Sequence, residues 1–229
     1  MAVTNKKIEV PFIKLDGAKS IKEAQDVLDK YSAIISIDQV NWKEKYPYKP
    51  EVRAQIAHSN HYIWILANIK ENHIKAYALK DYENVWEDSC FEFFVQFPNH
   101  KKYINFETNC IGVSTADLRT GRDDSTPISK EDLKKFVRIS SLEQKLTDIY
   151  DSNTLQEWKL LLGIPKNVLM KYFNTNKEPF PSELRANFYK CGDLTNIPHF
   201  LSWNPVNTPE CNFHLPEFFG NLILEDSEH

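Results

Sequence analysis

The residues best suited to meeting a polar ligand are concentrated in VWEDSCFEFFVQF, residues 85–97. Trp86 stands beside Glu87 and Asp88, just ahead of an apolar run that reads as a strand. An indole at a loop–strand junction offers a flat apolar face at little entropic cost, the platform a pyranose ring needs. The same position also suits a tryptophan that closes a core. Glu92 falls between Phe91 and Phe93. A carboxylate in an apolar strand is costly unless it is partnered or opens onto a solvated cleft. Its same-face neighbours, Cys90 and Phe94, argue for the cleft over a plain solvent face.

The next run, YINFETNCIGV at 103–113, places Asn105, Glu107 and Asn109 on one face, with Ile104, Phe106 and Thr108 on the other. Such a row supplies fixed donors and acceptors for hydroxyl recognition, or it faces water. The carboxyl-terminal third repeats the theme. LRANFYKCGD (184–193) puts Arg185, Asn187 and Tyr189 on one face. His199 and Trp203 follow in PHFLSWNP, then Phe213 and His214 in a proline-bracketed loop.

Other chemistries have weaker support. Cys191, His199, Cys211 and His214 are zinc-ligand types, but only Cys211 and His214 share a recognisable spacing. Glu92 and Glu107 could serve as a glycosidase pair, which needs carboxyls about 5–5.5 or about 6.5–9.5 Å apart. No G-x-S-x-G elbow, GxGxxG or GxxxxGK[ST] loop is present.

The elements that must position these residues are mostly strands. Runs at 52–58 and 61–70 flank Ser59-Asn60, a hairpin signal. In the second run both alternating faces are apolar, which predicts a strand covered on both sides. Further strands are expected at 90–97, 103–113, 136–142, 157–164, 184–191, 200–203 and 220–225. Helical signals are brief: a capping box at Ser20 opening a helix to about Lys30, a start at Ser129, and Pro165 at a first helical position before 167–173. The spacing predicts an all-β, antiparallel β-sandwich with a few short helices, a single domain over 1–229.

Composition narrows the partners. Lys and Arg total 28 against 32 Asp and Glu, and the basic residues come only in doublets, so a nucleic-acid partner is not expected. No run of about 18 apolar residues exists, so no membrane partner is expected either. The amino terminus has no continuous apolar stretch, which predicts a cytoplasmic location, or a secreted or periplasmic one where a leader has been removed. Four cysteines do not make a disulfide scaffold; Cys90 and Cys110 read as buried strand thiols, with pairing left open.

The order of these motifs resembles carbohydrate-binding module family nine and its family-nine-like, DOMON-like relatives. It runs from Trp86-Glu87-Asp88-Ser89-Cys90-Phe91-Glu92 through the Asn105/Glu107/Asn109 strand and Ser202-Trp203-Asn204-Pro205 to Phe218-Phe219-Gly220-Asn221-Leu222. The resemblance implies a β-sandwich in which two aromatics enclose the terminal sugar of a glucan or xylan chain. Trp86 matches the first platform, Glu92 the family glutamate and Phe213 the second platform. Asn105, Glu107 and Asn109 occupy the arginine/asparagine strand, and Tyr189 falls near a family glutamine. The chain departs from the family with Phe213 in place of tryptophan, and with Asn105 or Glu107 where an arginine stands. An extra loop, NWKEKYPYKP, adds Trp42, Tyr46 and Tyr48, either to the platform or as a plug for the sandwich end. Trp158 and Trp203 belong to the core.

The resemblance therefore implies non-catalytic binding of an oligo- or polysaccharide, with no catalytic residue and with a glycoside hydrolase as a partner. Structural calcium on Asp81, Glu83, Glu87 and Asp88 is also within the family's range. The competing readings are a glycan-active hydrolase using Glu92 and Glu107, a haem-binding domain relying on Met170, and a protein-interaction sandwich that has lost its sugar.

Overall fold

Period-two apolar patterning builds two sheets that pack face to face in the computed structural model, which describes residues 5–176 and 178–226. The first four residues of the segment weighed for a leader lie outside that range. The larger sheet runs through Lys7–Val10, Gly220–Leu224, Glu183–Cys191, Cys90–Gln96, Tyr103–Asn109, Ser114–Arg119 and Ser125–Pro127. Phe200–Ser202 and Gln39–Val40 branch from its Glu183–Cys191 strand. The smaller sheet runs Val137–Ser140, Gln156–Pro165, Tyr62–Glu71, Glu51–His58 and Ala33–Ser36. Pairing is antiparallel except where Lys7–Val10 lies parallel to Gly220–Leu224. A two-stranded ribbon, His73–Ala76 with Thr147–Tyr150, stands apart.

The hairpin read at Ser59-Asn60 is present, with His58 opposite Ile63 and the Ser59 amide donating to the Tyr62 carbonyl. Its second strand is covered on both sides, as its sequence demands. Ile63, Ile65, Ala67 and Ile69 enter the core between the sheets, while Trp64 and Leu66 join Ala24, Leu28, Ile13 and Leu161 on the outside. The helix Ile21–Tyr31 supplies that outer cover, and Ser20 caps it by accepting from the Glu23 amide. Each large apolar side chain so buried contributes about 1.5–3 kcal/mol. Pro165 differs from expectation: its extended backbone ends a strand and caps the helix Lys166–Tyr172, so the first helical position is Lys166. Trp158 and Trp203 are core residues.

His58 fastens both ends of the chain. Its backbone pairs with Pro11 and Ile13, and its Nε2 lies 2.8 Å from the Glu225 carbonyl oxygen. All four cysteines are free thiols.

Candidate ligand-binding site

The site grows from the face of the larger sheet that points away from the sandwich core. Across three adjacent strands, Glu92 lies in register with Glu107 on one side and Tyr189 on the other. One pair further along, Cys90 lies between Asn109 and Cys191. The row is buried. It does not face water, because the segment 203–219 folds back over it.

Polar side chains of the row hold that roof in place. Arg185 donates to the Pro216 carbonyl at 2.7 Å and to Gln96 at 3.1 Å. The Asn187 amide donates to the Asn204 carbonyl at 3.0 Å. Tyr189 donates to the Phe213 carbonyl, and the Tyr103 hydroxyl meets His214 Nδ1 at 2.9 Å. Where the roof stops, a cleft of about 220 Å³ opens over Glu92 and Glu107.

Three aromatics line it, Phe200 and the two the sequence singled out, Trp86 and Phe213. Trp86 sits half-buried on the 3-10 turn Val85–Glu87, and its carbonyl accepts from the Asp193 amide. Asp88 anchors this turn by accepting from the amides of Tyr77 and Ala78 and from the Asn109 side chain. Phe213 lies stacked on Tyr189, ring centroids 4.1 Å apart. Trp42 braces Phe213 at 5.7 Å and donates its indole N–H to the Thr208 carbonyl. With Tyr46 and Phe200, Trp42 lines an adjoining hollow of about 580 Å³, which shares Arg122, Asp193 and Cys211 with the cleft. Tyr48 turns the other way, packing on His199 inside the sandwich end.

The floor is polar and buried. Burial pushes the Glu92 carboxyl well above the usual carboxylate range, and the charge of Glu107 adds to this. Glu107 is pushed up to about 7 by burial, against the Asn105 amide and the Arg119 guanidinium, which hold it down. Burial raises Asp193 to about 6, with Arg122 opposing. His214 falls to about 3, through burial and then the charges of Arg119 and Arg122. Arg119 is fixed: it donates to Asn105 Oδ1 at 3.1 Å, to Asp117 at 3.2 Å and to the Arg122 carbonyl at 2.8 Å. A largely neutral carboxyl beside fixed guanidinium and amide groups presents both donors and acceptors, which suits an uncharged polyhydroxyl ligand.

Of the residues singled out in the sequence, Trp86, Glu92, Glu107, Phe213 and His214 line the cleft, as do Cys191 and Cys211 of the zinc-type set. Asn105 stands one step behind, donating to Glu107 at 2.7 Å. Tyr189 supports Phe213 from beneath. Besides Asn105 and Tyr189, two more residues stand away from the cleft lining. Asn109 is turned to Asp88 and the Ala78 carbonyl, and Arg185 to the roof, because the covering segment and the Trp86 turn claim their polar groups. Arg119, Arg122, Asp193 and Asn212 line it without having been singled out.

The zinc constellation does not assemble. His199 lies inside the sandwich, 2.7 Å from Lys190 Nζ. The four carboxylates considered for calcium do not fit such a site either. Asp81 pairs with Arg138, Glu83 accepts from the amides of Leu79 and Lys80, Glu87 accepts from Asn84, and Asp88 is engaged as above. Among the described residues, the one group of three close enough to share a cation is Cys90, Glu92 and Cys191.

Comparison with known proteins agrees with the fold. The family model of carbohydrate-binding family 9 matches residues 23–224. A candidate carbohydrate-binding protein from Bacteroides uniformis is similar in structure at 33% identity and TM-score 0.85, covering 97% of this chain and 100% of its own. A family 9 module from Caldicellulosiruptor kristjanssonii, solved with cellotriose, has TM-score 0.60 at 12% identity, covering 97% of this chain and 95% of its own. Its glucose complex has TM-score 0.59 at 11% identity, covering 97% of both chains. At that identity these two show the fold alone. No curated protein matches the chain.

Proposed function

This chain belongs to carbohydrate-binding family 9, and from that premise we propose that the cleft between Trp86 and Phe213 binds the terminal sugars of a glucan- or xylan-type oligosaccharide without cleaving it. The observation that carries this reading is the arrangement of two aromatics at the walls of a polar floor made by Glu92, Glu107 and Arg119. A sugar ring has apolar faces and a rim of hydroxyls. Aromatic walls meet the faces, and the neutral Glu92 carboxyl with the Arg119–Asn105–Glu107 network meets the rim. That the Caldicellulosiruptor module was solved with cellotriose supports a β-linked glucan as the first ligand to try.

Binding is favoured over hydrolysis by the family, a non-catalytic binding module, and by the engagement of both carboxyls: Glu92 accepts from the Cys191 thiol and Glu107 from the Asn105 amide. A binding module of this kind serves a glycoside hydrolase acting on the same polysaccharide.

Calorimetric titration with cellotriose, xylobiose, glucose and galactose tests the reading, alongside Trp86→Ala. Saturable heat with one of these sugars, reduced at least thirtyfold in the variant, is expected; thirtyfold corresponds to about 2 kcal/mol, typical of a central aromatic anchor. Titrations without heat for any of them would overturn it.

A further inference from the structure

The sugar reading of the cleft gives no part to two buried thiols beside Glu92. Cys90 and Cys191 face each other in register across two adjacent antiparallel strands, their sulfurs within 4.8 Å of one another. Glu92, two residues along on the same face, accepts from the Cys191 thiol at 2.9 Å. One sulfur from each cysteine and one Glu92 oxygen all lie within 4.8 Å of one another. Both cysteines are almost wholly buried, as is Glu92. Yet Cys191 and Glu92 also line the cleft, so the group is reached from solvent through it.

We propose that these three residues form a binding site for a thiophilic d¹⁰ cation, zinc or cadmium being the simplest. Tetrahedral zinc with Zn–S about 2.3 Å and Zn–O about 2.0 Å separates its sulfur ligands by roughly 3.8 Å, and sulfur from oxygen by roughly 3.5 Å. Reaching it asks the 2.9 Å contact between Cys191 and Glu92 to widen by about half an ångström, while the other two separations already lie within 4.8 Å. Two strands fix the sulfurs, so little ordering remains to be done on binding. The fourth position points into the cleft, where water completes the shell.

The charge balance is closed. Binding of M²⁺ releases the two thiol protons and the Glu92 proton, leaving two thiolates and a carboxylate on the metal with no change of oxidation state. Arg119 and Arg122 in the same cleft offset the net negative charge of the loaded site. Sugar and cation share Glu92, so the two ligands compete.

The test is titration of the reduced full chain with Cd²⁺ in metal-free buffer without sugar, followed by competition with Zn²⁺. A thiolate-to-cadmium charge-transfer absorption saturating at one equivalent, and reversed by zinc, is expected. It should vanish in Cys191→Ser and persist in Cys110→Ala, whose thiol lies outside the cleft and meets the Lys75 carbonyl. Glu92→Gln should keep the band and weaken affinity at least tenfold. Circular dichroism confirms that each variant is folded, and if Cys90→Ser is not, Cys191→Ser and Glu92→Gln decide. No band in the folded wild-type chain, a band surviving Cys191→Ser, or unchanged affinity in Glu92→Gln would overturn the site. The titration contains no sugar, so its failure leaves the carbohydrate reading untouched.

Discussion

Phe213 lies on Tyr189 with planes 18° from parallel, and the Tyr189 hydroxyl donates to the Phe213 carbonyl at 3.1 Å. One residue of the central strand thus fixes both the ring and the backbone of the cleft wall. Tyr189→Phe keeps the stack and loses only the hydrogen bond, for about 1 kcal/mol of stability and less than a threefold change in sugar affinity. Phe213→Ala removes the wall, for about 3 kcal/mol and at least tenfold in affinity. Urea unfolding and calorimetry on the two variants separate the effects. Equal loss of affinity in both would mean that the Tyr189 hydroxyl itself meets the ligand.

Arg119 ties three groups of the cleft together through Asn105, Asp117 and the Arg122 carbonyl. Arg119→Leu leaves Asn105 Oδ1 without its donor and Glu107 without the cation that restrains its pKa. Sugar affinity should fall about tenfold, or about 1.4 kcal/mol. Arg119→Lys should recover only part of this, since a point charge cannot span three acceptors. Full recovery by lysine in the same titration would reduce the role of Arg119 to charge alone.

The strands and the buried polar row were legible because alternation reports which face a residue takes. It does not report how much of that face is roofed. Asn105, Asn109 and Arg185 therefore look alike in sequence, yet Arg185 holds the roof, Asn109 holds the Trp86 turn and only Asn105 reaches the floor network. Arg119 and Arg122 were hidden for a different reason. They sit in DLRTGRDD, residues 117–124, outside every strand expected from the sequence. Only the pairing of Arg119 with Tyr103 brings it onto the floor's own face. The Cys90–Cys191 pair joins strands about a hundred residues apart in the chain, and no spacing rule connects them.

His58 should make stability fall in acid. Its Nδ1 accepts from Lys166 Nζ at 3.0 Å, so the ring must stay neutral there. Burial and then the Lys166 charge lower its pKa to about 4, below the ordinary 6.5. A folded-state value below the unfolded one means stability present above about pH 6.5 and lost as pH falls toward 4. The ring is buried, and a shift of this size makes the expected loss between pH 7 and pH 4.5 about 2 kcal/mol. His58→Gln should flatten this arm of the stability curve, read by urea unfolding at pH 7 and pH 4.5. Parallel losses in variant and wild type would assign the acid response elsewhere.

Lys190 and Glu71 form an ion pair 2.9 Å long with both side chains fully buried, and the other Glu71 oxygen accepts from the Trp158 indole. Such a pair adds little net stability, but breaking it strands a charge. Lys190→Met should cost about 3–5 kcal/mol near neutral pH. Glu71→Leu added to that variant should restore most of the loss, short of the bond Trp158 then lacks, because the remaining charge is gone. His199 stands 3.5 Å from the same carboxylate oxygen, and its proton affinity is lowered by burial and then by the Lys190 charge. With Lys190 removed, His199 can take up a proton and replace the missing cation, so the loss in Lys190→Met should be smaller at pH 5 than at pH 8. Urea unfolding of the single and double variants at both pH values reads this directly. A loss below about 1 kcal/mol at pH 8 would mean that water reaches Glu71 once the lysine is gone.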